Sequence, residues 1–113
     1  MEMSLKFSFS AIKLYRELIN KKEYIISKQL LRSATSIGAN VFEASAASSR
    51  KDFINKMTIA SKEARESYYW LILLSEGKLV EVQVEDQMKD ISSIINILTA
   101  IVKTTKDNLE LKE

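Results

Sequence analysis

Residues 30–74 read LLRSATSIGANVFEASAASSRKDFINKMTIASKEARESYYWLILL, and this stretch decides the fold. In its first half Leu30, Ala34, Ile37, Val41 and Ala44 recur at helical spacing. They fall within about 80° of arc on a helix. Leu31, Gly38 and Phe42 widen that face. Ser33, Ser36, Asn40, Glu43 and Ala47 form a separate narrow row, with Gln29 and Arg32 beside it. The row is small and polar, and small residues let a second helix come close. The second half opens on Ser49-Arg50-Lys51-Asp52, an S-x-x-D capping box with its acid in the first turn, where the helix dipole favours it. Phe53, Met57, Ala60, Ala64, Tyr68 and Leu71 then follow at helical spacing. Two amphipathic helices, Lys28 to Ala47 and Ser49 to Glu76, are thus joined by a break of two or three residues around Ser48. So short a connection makes them antiparallel neighbours.

The flanks extend the pattern. Phe7, Ala11, Leu14 and Leu18, with Ile12, Tyr15 and Ile19 beside them, predict a first helix over Ser8–Asn20. Asn20-Lys21-Lys22 is a polar break, and Ser27 is the expected cap of the second helix. Glu76-Gly77 reads as the stop of the third, with glycine just past its end. Val84, Met88, Ile91, Ile95, Leu98, Val102, Thr105 and Leu109 step alternately four and three, a heptad seam that predicts a fourth helix over Val84–Asn108. The fold expected is all-α, an up-down-up-down four-helix bundle forming one domain over residues 1–113.

Two helices carry a second apolar row: Ile94, Ile97 and Ile101 on the fourth, and Trp70, Leu73 and Leu74 on the third. Left exposed, they would be large patches on a chain of 113 residues. Self-association is the expected remedy; the alternative is a wide stripe buried inside the bundle.

Composition excludes much chemistry. The chain has no cysteine and no histidine, so thiolate metal sites, disulfides, a cysteine nucleophile and the commonest general base are all absent. Two isolated glycines, Gly38 and Gly77, cannot build a phosphate-binding loop. No apolar run approaches the length of a membrane span, and MEMSLKFSFS lacks the features of a signal peptide, so a cytoplasmic protein is expected. The net charge is +2 but uneven: residues 1–75 carry twelve Lys/Arg against seven Asp/Glu, residues 76–113 five against eight. The first part is expected to attract a polyanion and the last part is not.

Glu43, Glu63 and Glu66 are the candidates for carboxylate chemistry. Asn40-x-x-Glu43 and Glu63-x-x-Glu66 have the spacing of di-iron bundle ligands but lack the histidine such sites use. The expectation is therefore no metal and no cofactor. Arg32, Asn40, Glu43, Glu63 and Glu66 are expected to form a satisfied polar network between helices two and three or between subunits, with Trp70 in an apolar seam beside it. The best nucleic-acid footprint is the row Lys51, Asn55, Thr58, Lys62, Arg65 and Tyr69, in which Lys51, Lys62 and Arg65 carry the charge. No base-reading motif accompanies it, so binding would tolerate any sequence.

The elements Arg32-Ser33-x-x-Ser36-Ile37-x-x-Asn40-x-x-Glu43, Lys51-Asp52-Phe53 and Ala64-x-Glu66 resemble those of a known family. They are similar to the bacterial four-helix-bundle proteins encoded in intervening sequences of 23S ribosomal RNA genes. Ser48-Ser49-Arg50-Lys51 fits the basic turn that follows the Asn-x-x-Glu element there. The same resemblance takes in the accessory variability proteins of diversity-generating retroelements, basic pentamers that bind nucleic acid and a reverse transcriptase. It implies a four-helix bundle, a homo-pentamer, RNA or DNA as a partner, and no catalysis. The present chain differs from the retroelement branch in its low net charge. The leading expectation is a non-enzymatic, homo-oligomeric nucleic-acid accessory. The alternative is a protein-interaction scaffold that touches no nucleic acid.

Overall fold

A computed structural model describes residues 1–112 and places four helices in chain order: α1 (Glu2–Asn20), α2 (Ile26–Ala44), α3 (Arg50–Gly77) and α4 (Glu85–Lys112). Glu113, the last residue of the expected domain, lies outside the described residues. Each helix packs on its sequence neighbours and α4 closes the ring on α1, giving a four-helix bundle of 52 × 22 × 20 Å. Partners across the seams run in opposite directions: Glu43 meets Lys56 while Ser33 meets Ser67, and Ser8 reaches Ala34 while Ser4 lies against Gly38. Consecutive helices are therefore antiparallel, as the short connections require.

Helix α1 begins six residues before its expected start. Its buried row is Ser4, Phe7, Ala11, Leu14 and Leu18, so Ser4 supplies the first turn of the inward face. A serine serves there because α2 comes so close: a Cβ added to Gly38 would lie 3.1 Å from the Ser8 hydroxyl and 3.6 Å from the Ser4 carbonyl. α1 ends in a Schellman arrangement. The Glu23 N–H donates to Leu18 O and the Lys22 N–H to Ile19 O, both at 2.9 Å, with Lys22 left-handed at φ 64°.

The start of α2 differs from expectation in its cap. Ser27 lies inside the first turn, buried, and its hydroxyl donates to Glu23 O at 2.7 Å. The cap is the Glu23 side chain, which is buried and accepts from the backbone N–H groups of Ile25, Ile26 and Ser27. These are the orphan donors that open every helix. α2 stops at Ala44, three residues short of the predicted Ala47.

The Ser49 cap of α3 forms as read, with the reciprocal bond one residue further back. Ser49 Oγ accepts from the Asp52 N–H at 3.1 Å, and Asp52 Oδ2 accepts in return from the Ser48 N–H at 3.2 Å. At the other end Gly77 is the last helical residue, and the left-handed position falls on Lys78, with φ 55°.

The second apolar rows lie largely within the bundle. Ile94 and Leu74 are buried, and Ile101, Trp70 and Leu73 pack against the core; Ile97 alone of the six stays exposed, at 46%. The reason is the ring arrangement: α4 faces both α3 and α1, so it needs two apolar rows to cover both neighbours. The large exposed apolar side chains sit elsewhere. Leu5 on α1 and Phe42 on α2 flank an apolar groove of about 350 Å³ lined by Gly38 and Ala39, and Phe9 is exposed one turn from Leu5 on α1.

Candidate nucleic-acid interface

The polar residues singled out from the sequence separate into three places. Arg32 on α2 reaches across to α3, where Nη1 donates to Glu63 Oε2 at 3.3 Å and Nη2 donates to Glu66. Asn40 turns back on its own helix, and Nδ2 donates to Ser36 O at 2.9 Å. Glu43 pairs with Lys56 at 3.3 Å, at the end of the α2–α3 seam away from Arg32. The single network expected from Arg32, Asn40, Glu43, Glu63 and Glu66 is thus one three-residue cluster and two separate pairs. The cause is register. Asn40 and Glu43 lie two and three turns below Arg32 on α2, and the antiparallel partner at that level is Lys56.

Burial raises Glu63 above the ordinary carboxylate range, and its hydrogen bond with Glu66 raises it further, while the Arg32 charge pulls the other way. Arg32 is raised in turn, chiefly by its hydrogen bond to Glu66. Among the described residues no three acidic side chains converge closely enough to hold a metal ion. Trp70 is half-buried on the core, and its Nε1 is buried with no acceptor among the described residues.

Lys51, Lys62 and Arg65 are all exposed on the side of α3 that faces α4. Lys62 and Arg65 line a groove of about 390 Å³ between the two helices, with Thr58 and Ser61 on the α3 wall and Thr99, Lys103 and Lys106 on the α4 wall. Arg65 Nη2 donates across the groove to Thr99 Oγ1 at 3.4 Å. Lys51 continues the line beyond Lys106, where Ile54 and Leu109 floor a second hollow. Asp107 and Glu110 lie at that same lower end.

Lys103 and Lys106 belong to the acidic third of the sequence, which was not expected to attract polyanions. The antiparallel packing sets these two lysines opposite Lys62 and Arg65. Among the described residues none of the four makes an ion pair; the pairs formed are Lys21–Glu17, Lys56–Glu43 and the Arg32 cluster. A groove holding four cations with no carboxylate partner, plus three hydroxyl groups, is suited to an extended anion. Lys103 and Lys106 directly follow the seam residues Val102 and Thr105 and so flank the heptad seam on the side facing α3, and that phase is the available sequence signal.

No described helix is long and apolar enough to cross a membrane. A comparison with curated proteins finds no match. Among solved structures the chain is similar to a protein of unknown function from the S23 ribosomal protein family of Bacteroides thetaiotaomicron VPI-5482. The two are 47% identical, the match covers 90% of this chain and 96% of that one, and the TM-score is 0.86. The family model described as 23S rRNA-intervening sequence protein matches residues 1–100. With that match over nearly the whole length and the same fold in a close relative, the chain belongs to the 23S rRNA-intervening sequence protein family.

Proposed function

We propose that this protein is a non-enzymatic, cytoplasmic accessory that binds RNA or DNA through phosphate contacts, without regard to sequence, as a homo-oligomer. The observation that carries the reading is the α3–α4 groove, in which Lys62, Arg65, Lys103 and Lys106 converge with no ion pair among the described residues, against Asp107 and Glu110 at its lower end. The lack of histidine and cysteine in the sequence supports a role without catalysis or a resident metal. Self-association is supported by the α1–α2 face, where Leu5, Phe9 and Phe42 are each more than half exposed. The family resemblance supports a pentamer. In such an assembly every groove is repeated, so weak phosphate contacts add through avidity.

The same apolar face favours the second reading, a scaffold that binds another protein and no nucleic acid. Gel-shift and sizing measurements on one preparation separate the two. The parent is expected to run at several times 12.9 kDa and to shift both RNA and DNA at low salt. Replacing Lys51, Lys62 and Arg65 together by glutamate is expected to abolish the shift and leave the assembly intact, because that row lies on the opposite side of the bundle from Phe42. A parent that binds neither RNA nor DNA at low salt overturns the nucleic-acid reading and favours the scaffold.

A further inference from the structure

We propose that the α3–α4 groove takes a single strand rather than a duplex, with phosphates held from both walls and one unpaired base stacked on Tyr69. The inference rests on the nucleic-acid reading above and goes beyond it in naming the form of the ligand and the residues that select it.

The two walls make the first argument. Lys62 and Arg65 come from α3, Lys103 and Lys106 from α4, and all four line one groove. Packed helix axes lie about 8–10 Å apart, so the two surfaces meet in a narrow furrow that one backbone strand can follow. A single backbone lying in it meets cations on either side, whereas a stiff duplex touches only the rims. Thr58 and Thr99 add neutral donors on the same walls, and the Arg65–Thr99 bond holds the guanidinium across the channel. Asp107 and Glu110 share the lower end with Lys106 and Lys51, so the positive charge is least offset towards Lys62, Arg65 and Lys103.

Tyr69 makes the second argument. It lies one turn beyond Arg65 on the same side of α3, and it is 54% exposed. Trp70 supports its ring in an edge-to-face contact, with centroids 5.1 Å apart and planes at 67°. An exposed aromatic ring at the end of a basic channel is the stacking platform that single-strand binders use. A duplex keeps its bases within its own stack and leaves such a platform empty.

Trp70 is the one tryptophan of the chain, so its fluorescence reports on Tyr69 directly. The probes are a homopolymeric single-stranded DNA, the matching RNA, and the duplex of equal length, titrated over a range of salt. The single strands are expected to quench Trp70 and to bind about tenfold or more tighter than the duplex. Tyr69→Leu is expected to lose about that factor on single strands and nothing on the duplex, while Tyr69→Phe retains parental binding. Lys103→Gln with Lys106→Gln is expected to lower the log–log salt slope on single strands by about 1.4, at about 0.7 for each phosphate released.

These side chains are exposed, and unchanged thermal unfolding of each variant confirms that the fold is kept. Equal affinity for duplex and single strand overturns the inference. So does parental single-strand binding by Tyr69→Leu, or a salt slope indifferent to Lys103 and Lys106. In those cases the nucleic-acid reading survives as long as the Lys51, Lys62 and Arg65 replacement still abolishes binding. A parent that binds none of the three probes defeats both.

Discussion

The hydroxyls of Ser33 and Ser67 meet at 2.7 Å in the middle of the α2–α3 seam, and both side chains are fully buried. Ala34, Ala60 and Ala64, also fully buried, surround the same level of the bundle. Small side chains bring the two backbones together there, and the paired hydroxyls satisfy each other where water does not reach. This close seam sets the register that carries Arg32 to Glu63 and Glu66 a turn away.

The partners of the two serines differ, and that difference is measurable. Ser33 also donates to Leu30 O at 3.3 Å, whereas Ser33 is the partner the structure gives Ser67. Ser33→Ala strands the Ser67 hydroxyl and is expected to cost about 1–3 kcal/mol of stability. Ser67→Ala leaves Ser33 its bond to Leu30 and is expected to cost less. The double alanine variant removes both polar groups and is expected to be more stable than the two single effects added together predict. Urea unfolding of the four proteins gives the coupling directly; simple additivity would contradict the pairing.

Much of this architecture is legible in the sequence, and the parts that are not have physical reasons. The Ser49–Asp52 box depends on four consecutive residues; the structure makes its first bond, and the Asp52 carboxylate reaches Ser48, one residue before the cap. The small polar row on α2 predicts a close helix contact, and Ser33 makes one. What escapes is whatever depends on three-dimensional neighbours. Ser4 looks like a surface serine until Gly38 is placed against it. Lys103 and Lys106 look outweighed by their acidic surroundings until α4 is laid antiparallel to α3. The left-handed position at the end of α3 falls on Lys78, one residue past the glycine that seemed to mark it. Arg32, Glu63 and Glu66 are brought together by the seam, while Asn40 and Glu43 share their helix but not their level.

Glu23 is a second case in which geometry overrides residue preference. Glutamate is not among the favoured capping residues. Here the Schellman turn after α1 carries the Glu23 backbone back over Leu18 and leaves its carboxylate beneath the first turn of α2. Glu23→Ala removes the acceptor for three backbone N–H groups and is expected to cost about 1–2 kcal/mol. Glu23→Gln keeps an acceptor oxygen but loses the charge that the helix dipole favours, so an intermediate loss is expected. Thermal unfolding of the three proteins at one pH tests the order. A glutamine variant as unstable as the alanine variant would assign the whole effect to charge, and an unaffected alanine variant would remove the cap from the account.

Glu63 makes stability depend on pH in a direction opposite to that of most salt-bridged acids. Burial and the Glu66 hydrogen bond raise it above the ordinary value of 4.5, and Arg32 offsets this only in part. Between the unfolded value and the raised folded value, the native protein holds a proton that the unfolded chain has released. Stability attributable to this group therefore falls as pH rises through that window, and the penalty is complete above it. Glu63→Gln cannot ionise. The difference in unfolding free energy, variant minus parent, is expected to be flat below pH 4.5, to increase through the window and to level off above it. Arg32 contributes no slope of its own there, because it stays charged throughout. The Arg32 attraction acts on the ionised form of Glu63 and is already contained in its net upward shift. Denaturant unfolding of both proteins at closely spaced pH values measures that shape. A difference that declines as pH rises would mean that Arg32 outweighs burial and that Glu63 behaves as an ordinary salt-bridged carboxylate.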